Sequence, residues 1–578
     1  MIKALTTTIF IITVNFLTIA HAETDESKII YTVNNGDTQS MDPDSKGLKE
    51  VKDKTRYDVI IVGGGLAGLT SAVYLTDHHK KVLLLEKESQ VGGLASGGVT
   101  SDGIKYDRGA AYWTDTYPEE KAILKRIKLG DFKKKDPIKE PADTYFLNGK
   151  LYAGIWEEKT MALLPASFAL FKYELSKEND EDLIPNQPLE AGPLDLDSKT
   201  ASQWINEMPQ KMADRLINFK PDPKSTDAEN AEDLEELREI MQRFNREKGS
   251  LLGTFKMDDV LKLMDLYCRS ALGTNADGVS ALAFANFYIS EIDTRYTTEY
   301  GTAQAAINMD KILKEFRRPV KINTKSAVSK IWDEPQGVRV QYINKGKLHE
   351  VTGSYLVFAA QIKLAPKLID NFATLAPEKA QVINGLEYAN YSVHTVNLNG
   401  NPYRLSYDTW TRPKDYTDKD FTDVILAQWI HTKGFTEDTD NQNGIWTIYH
   451  PVSPEWKIEK YDDTEAVNLA KYAVHRLLEL YSPMVKQLSG SEIDITSVQT
   501  NRWPISVHIA TPGHFAYKAK ILRQPVGHIY FGNNNMGTPA FEEALFRGHC
   551  AADNILIRSD SSFNMRTEEP WSQCPIEK

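Results

Sequence analysis

The stretch RYDVIIVGGGLAGLTSAVYLTDHHKKVLLLEKESQVGG, Arg56 to Gly93, constrains this chain more than any other. It reads as an apolar strand, a glycine turn, a helix and a second apolar strand ending in a carboxylate. Gly63, Gly65 and Gly68 form a GxGxxG turn directly after the strand DVIIV. The first glycine permits the tight turn, the second lets backbone approach a pyrophosphate, and the third lets helix pack on strand. The helix then starts around Leu66 and Ala67, where backbone N–H groups without helical partners face the phosphates. Glu86 closes the strand KVLLLE about 20 residues on, where a carboxylate takes ribose hydroxyls. Glycine-rich turns also occur without a ligand. The order strand, turn, helix, strand, Glu86 points to a bound dinucleotide, and NAD and FAD both satisfy it.

Composition sets the outer limits. The chain has 578 residues, 41% of them hydrophobic, enough for a large core and about two to four domains. Net charge is -12 and no basic stripe occurs, which argues against nucleic acid and is compatible with cationic substrates. The three cysteines cannot all pair, so a disulfide scaffold is excluded, while one Cys550–Cys574 bridge is possible. No CxxCH, HExxH or GxSxG occurs and the histidines are scattered, so no attached haem, metal centre or hydrolase elbow is expected. At the N-terminus, Lys3 precedes an apolar run and the small-residue sequence AHA at Ala20–Ala22. Residues 1–22 are expected to be a signal peptide cleaved before Glu23, giving a secreted or periplasmic protein; an uncleaved anchor is the alternative. No later segment is long and apolar enough to span a bilayer, so no transmembrane span is expected in the mature chain.

The residues after Glu86 separate the two dinucleotides. EKESQVGGLASGG places Lys87 beside Glu86, with Gly92, Gly93 and Leu94 just beyond. IKYDRGAAYW follows, with Asp107 and Gly109. This series resembles the FAD-binding start of the flavin amine oxidase superfamily, which includes monoamine and polyamine oxidases, protoporphyrinogen oxidase and phytoene desaturases. The resemblance implies FAD, with the second turn beside the flavin end. Near the C-terminus, GHIYFGNNNMGTPAFEEALFRGHCAADNIL gives a strand, a turn at Gly532 and Asn533, and a helix. Thr538 suits the N-cap, Pro539 the first helical position, and Ala540 follows. By the resemblance, that helix start points at the flavin pyrimidine, where it favours the negative charge of the reduced ring. Asn533 stands where the family carries an acid, and an amide still bonds a hydroxyl or phosphate oxygen. YGTAQAAINMDKIL resembles the family's glycine-led helix, Val328 falls at its adenine-contacting valine, and YLVFAAQIKLAP resembles a further strand. The likeness runs from Arg56 to Leu556.

The substrate side resembles the family less closely. ANYSVHTVNLNG places Thr395, beside His394, where amine oxidases often carry a lysine that reaches the flavin through a water. His394 reads equally as an ordinary sheet histidine. In NRWPISVHIATPGHFAYK, Trp503, Gly513, His514 and Phe515 align with the family's aromatic slot, and Phe541 lies near its second wall. Phe515 and Phe541 read equally as core aromatics.

These readings give an α/β fold: a Rossmann-like FAD-binding domain with a mixed-sheet plus helical substrate domain. The FAD-binding domain is expected from residues 56–118, 299–370 and 520–560. The substrate domain is expected from 119–298, with a charged insertion around 175–250, and from 371–519. A polar linker at 23–55 and a tail at 561–578 complete the chain. The implied function is an exported FAD-dependent oxidoreductase that acts on a small-molecule substrate. It would oxidise an amine C–N bond by hydride transfer to flavin N5 and pass electrons to oxygen or another acceptor. Thr395, His394, Trp503 and Phe515 are the candidates beside the chemistry. Two alternatives stay open: a C–C desaturase or protoporphyrinogen oxidase-type dehydrogenation, and a non-catalytic flavin-binding assembly or redox-sensing protein.

Overall fold

A computed structural model describes residues 11–13, 26–34, 47–101, 103–114, 118–129, 136–138, 142–181, 184, 194–248, 257–292, 295–298, 300–316, 320–402, 406–426, 443–452, 461–559 and 574. Two large sheets organise these residues. The first orders the strands Lys321–Asn323, Val82–Leu85, Lys49–Val62, Lys347–Phe358, Gly337–Asn344 and Ser326–Glu334, with Ile529–Phe531 also on Lys347–Phe358. The pairings among the first four strands and that of Ile529–Phe531 are parallel; the last two strands form an antiparallel meander. The runs VIIV (Val59–Val62) and VLLL are continuously apolar because helices and the meander cover both sheet faces. Val59 and Ile61 pack towards the helices Leu66–Asp77, Ala303–Glu315 and Phe541–Ser559, while Ile60 and Val62 join the other core.

The second sheet has nine strands: Ile11–Thr13, Lys150–Ala153, Asp143–Leu147, Asp408–Arg412, Asp423–Leu426, Gly444–Val452, Glu387–Leu398, Ile495–Ile509 and Ile30–Asn34. The helix Asp463–Ser489 closes one face, with Val474, Leu477 and Tyr481 against Val396, Trp446 and Ile448. A separate helical core gathers Ala166–Asp180, Ala201–Ile217, Asp227–Lys248, Asp258–Leu272 and Ala281–Ile292. The charged stretch 175–250 is thus largely helical. Arg215 bridges Glu174 at 3.0 Å, and Thr200 with Gln203 forms a capping box.

Three expectations change. The polar stretch 23–55 is not a simple linker. Its Ile30–Asn34 is a parallel edge strand on Ile495–Ile509, and the first long strand already pairs with Lys347–Phe358 from Lys49 onward. That extension is polar because one side faces water, and neighbouring strands, not composition, supply its hydrogen bonds. The segment 119–298 is not only helical, since Asp143–Leu147 and Lys150–Ala153 belong to the second sheet. The Cys550–Cys574 bridge is formed, so the tail returns to the last helix at Cys574. The expected signal peptide lies outside the described residues except for Ile11–Thr13, which pairs with Lys150–Tyr152.

The tightest crossing joins the two ends of the first domain. A Cβ on Gly548 of the last helix would sit 2.1 Å from the Ala67 carbonyl oxygen of the first. Ser71 Oγ also donates to the Gly548 carbonyl at 2.5 Å. The contact is backbone against backbone, so no rotamer change relieves it. Gly548→Val should therefore lower unfolding stability by about 3 kcal/mol or more. Gly385→Ala, whose Cβ meets nothing closer than 3.6 Å, should stay within about 0.5 kcal/mol. Denaturant unfolding of the two variants checks this.

Candidate active site

The glycine turn is built as its spacing predicts. Gly63 adopts φ +106°, and a side chain there would meet Ala359 backbone at 2.7 Å. A Cβ on Gly68 would lie 2.0 Å from the Gly63 carbonyl oxygen. Gly65 differs: it adopts ordinary extended backbone, and its Cβ would meet nothing within 4 Å. It caps the first helix, so the N–H groups of Leu66, Ala67 and Gly68 lie in the unpaired first turn beside that open space. Gly92 bridges Gly65, and Gly93 packs on it. Glu86 is buried at the strand end; Oε2 accepts the Gly64 N–H at 2.6 Å and Oε1 the Glu88 N–H at 2.8 Å. Burial pushes its carboxyl above the usual range, and the two backbone donors pull the other way. Lys87 points outward and pairs with Glu88 at 3.0 Å. Val328 is buried at a bulge in the meander.

The C-terminal half closes on the same region. Asn533 is buried; its Nδ2 donates to the Ala360 carbonyl, and its Oδ1 has no partner among the described residues. Gly532 packs on Ala551 of the last helix, with a Cβ distance of 3.4 Å. The helix start needs correction. It runs from Phe541, and the Ala540 carbonyl accepts the first helical bond from Ala544 at 3.3 Å, so neither Thr538 nor Pro539 occupies its expected capping position. Two buried histidines fix the turn before it. His508 Nε2 bonds the Gly537 carbonyl at 2.9 Å and His514 Nε2 the Asn535 carbonyl at 3.0 Å. Burial holds His514 well below the usual imidazole range and takes His508 down to about 4, so both are neutral and donate from Nε2.

Where this turn meets the second sheet, a cavity of about 170 Å³ opens. Leu94, Gly109–Thr114 and Pro539–Glu542 form its first-domain wall. Val393, Tyr449, Asp423 and Trp410 form a row across four strands on the opposite wall, each directly paired with the next. Tyr391, Trp503, Asp408 and Ile425 extend that wall, and Ser270, Ala271, Phe287 and Ser290 roof it from the helices. Trp503 Nε1 donates to the Arg108 carbonyl at 2.6 Å, and Tyr449 Oη reaches the Gly109 carbonyl, so the sheet is tied to the first domain on both sides. The lining carries three carboxylates and eight aromatic rings, with no Lys, Arg or His.

Of the expected substrate-side residues, Trp503 and Phe541 line the cavity, while Thr395, His394 and Phe515 do not. Thr395 is fully buried on the same sheet face, one row beyond Val393; its hydroxyl and that of the facing Thr447 have no partner among the described residues. His394 points through the opposite face, because successive side chains alternate along a strand. There its Nε2 lies 3.3 Å from His450 Nδ1, and His450 Nε2 lies 2.8 Å from the Lys419 carbonyl. Burial first, and His450 second, hold His394 well below the imidazole range, while burial takes His450 down to about 4. Phe515 is not a cavity wall either. Asp197 takes the N–H groups of Phe515 at 2.9 Å and Ala516 at 2.8 Å, and the ring joins the helical core. Tyr449, Tyr391, Trp410 and Asp423 escaped sequence reading. Their period-2 pattern is visible in DTWTR, DVIL and GIWTIYHPV, but which strands pair is not.

Among the described residues one trio, His549, Asp553 and Cys574, brings possible metal-ligand atoms within 4.8 Å of one another. The Cys574 sulfur is bonded to Cys550, so no thiolate remains to complete it.

Residues 66–556 match the family described as flavin containing amine oxidoreductase. The chain belongs to that family. It is therefore an FAD-dependent oxidoreductase of the flavin amine oxidoreductase type. Cyclohexylamine oxidase from Brevibacterium oxydans IH-35A shares the fold, with TM-score 0.56 and 18% identity over 87% of this chain and all of that one. Carotenoid 3,4-desaturase of Haloarcula japonica is 43% identical over 63 residues, 11% of this chain and 12% of that protein. Amine oxidase [flavin-containing] A of Bos taurus is 35% identical over 78 residues, 13% of this chain and 15% of that protein. The matched stretches thus span only 12% and 15% of these two curated relatives. No helix among the described residues is long and apolar enough to cross a membrane.

The cradle fits a flavin dinucleotide: open space at Gly65, a buried carboxylate at Glu86 and an orphaned amide oxygen at Asn533. Gly65→Val separates fold from cofactor. The added Cβ has no atom of the protein within 4 Å, so the cofactor-free protein should unfold within about 0.5 kcal/mol of wild type. The same side chain fills the phosphate space, so FAD recovered on denaturation should fall by about tenfold or more. A variant that keeps its FAD would contradict the assignment.

Proposed function

We propose that this family member oxidises amines at the carbon–nitrogen bond, with the cavity between the two sheets as the place of reaction. The observation that carries this is the lining: aromatic walls and carboxylates without any basic side chain. Aromatic faces and carboxylates both attract ammonium groups, and no basic side chain lines the space itself.

Leu66, Ala67 and Gly68 would hold the pyrophosphate, Glu86 the ribose, Asn533 a ribityl hydroxyl or phosphate oxygen, and Pro539 and Ala540 the flavin end. Bound FAD would supply a two-electron acceptor for hydride from the carbon next to nitrogen. The nitrogen lone pair then forms the second bond of an imine, and an N–H proton leaves to solvent. The chain's part is to strip water and fix orientation. Trp503 and Tyr449 stand at the junction of the walls and pack the alkyl part, and the carboxylates draw the amine in. Thr395, in place of a lysine, offers a hydroxyl and no charge. It is therefore assigned no share in hydride transfer, and its cost falls on reaction with oxygen.

We further infer export. The AHA sequence at Ala20–Ala22 and the Cys550–Cys574 bridge both support it, because such bridges persist in oxidising compartments.

Anaerobic stopped-flow tests the reaction. Aliphatic amines should bleach the flavin, and the reduced protein should recover faster with a quinone than with oxygen. Bleaching by a polyene or a porphyrinogen, with none by any amine, would move the protein to dehydrogenation of C–C bonds. Photoreduction with no response to any of them would make it a flavin-binding protein without turnover. N-terminal sequencing of protein recovered outside the cytosol should start near Glu23, and a start at Met1 would favour an anchor.

A further inference from the structure

The cavity has two chemically opposite ends. At the sheet wall, Asp423 is 2% exposed. Its Oδ1 accepts the Thr422 hydroxyl at 2.5 Å, and the Ser270 hydroxyl is a second donor. Ser270 in turn lies 3.0 Å from Tyr391 Oη. Both side-chain donors are neutral hydroxyls, and burial first, with the like-signed Asp143 after it, pushes the carboxyl up to about 7, so an arriving ammonium favours its ionised form. Basic side chains on neighbouring elements are engaged elsewhere. Arg295 holds Asp143 at 2.6 Å, Arg269 bonds Tyr416 and the Asp418 carbonyl, and Arg412 bonds the Lys262 carbonyl at 3.1 Å. A buried carboxylate with hydroxyl donors and open space in front is stabilised most by a cation brought in from outside.

At the other wall stands Trp113, also 2% exposed, stacked on Phe541 with ring centroids 5.7 Å apart. Its indole N–H has no partner among the described residues. A donor there suits a nitrogen that carries a lone pair, and it repels an ammonium. Glu542 on this wall is already engaged, its Oε1 accepting the Thr114 N–H at 2.7 Å and the Thr114 hydroxyl at 3.1 Å, so the two walls ask for opposite protonation states. The span between them is short, since Asp423 pairs directly with Tyr449, and Tyr449 reaches the Gly109 carbonyl of the first domain.

We propose that Asp423 makes this protein selective for diamines: it pairs with one amino group as an ammonium, while the second, uncharged, is presented at the Trp113 and Phe541 wall for oxidation. The proposal rests on the amine reading above. It assigns Asp423 to substrate recognition and gives it no part in the bond changes. Trp410 and Tyr449, its paired neighbours, line the space through which the alkyl chain runs.

The test is anaerobic flavin reduction by a series of α,ω-diaminoalkanes and the n-alkylamines of equal length. Concentration dependence separates the dissociation constant from the limiting rate. Wild type should bind the best diamine at least about tenfold more tightly than its matched monoamine. In Asp423→Asn, which keeps shape and hydrogen-bond capacity, that ratio should fall to about 1. A wild type that does not prefer diamines overturns the proposal with no variant needed, and so does a ratio that survives in Asp423→Asn. Both results leave amine oxidation standing. A wild type bleached by neither series overturns the amine reading itself, and the proposal with it.

Discussion

The structure depends on one close approach. The first and last helices of the dinucleotide domain cross so tightly that the Ala67 carbonyl occupies the place of a side chain on Gly548. Ser71 then closes the crossing with a bond to the Gly548 carbonyl, across 477 residues of sequence. This contact places the C-terminal turn at 532–540 over the edge of the sheet that carries the glycine turn. With it, Asn533 and Pro539 approach the same region as Gly65 and Glu86. Without it, the two halves of the cofactor cradle would be unrelated segments.

A second set of ties sets the cavity. Trp503 and Tyr449 reach backbone carbonyls at Arg108 and Gly109, so the second sheet is held face-on against the end of the cradle. The buried Asp107 carboxyl accepts the Thr302 N–H, and burial pushes it well above the usual range. Gly301 packs against that carboxylate so closely that a Cβ would lie 1.9 Å from it. The short stretch 107–114 is thus anchored at Asp107 and walls the cavity from Gly109 to Thr114.

The legible parts of the sequence were those where chemistry restricts the backbone. Gly63, Gly68 and Glu86 could be read because a tight turn and close helix packing leave few alternatives there, and each stands where its spacing predicts. The start of the last helix was read two residues early, since Thr538 and Pro539 are good capping residues locally while tertiary packing sets the helix at Phe541. His394 and Thr395 illustrate a different limit. Adjacent residues on a strand face opposite ways, so one-dimensional alignment places both near the flavin and the sheet admits only the face of Thr395. Asp423, Trp410 and Tyr449 were illegible for a further reason. Each lies in a short strand of ordinary composition, and only the pairing order of distant strands brings them into one row. The polar stretch 49–55 misled in the converse way, because a strand extended into solvent has no apolar pattern.

The proposed reaction site joins the cradle and the cavity at the junction of the two sheets. A crystal structure of the FAD-loaded protein with a slowly oxidised amine tests it most directly. The flavin ring should lie beside Pro539 and Ala540, with the ligand between Trp503, Tyr449 and Asp423. A flavin ring turned away from Pro539, or a ligand bound outside this cavity, would contradict it.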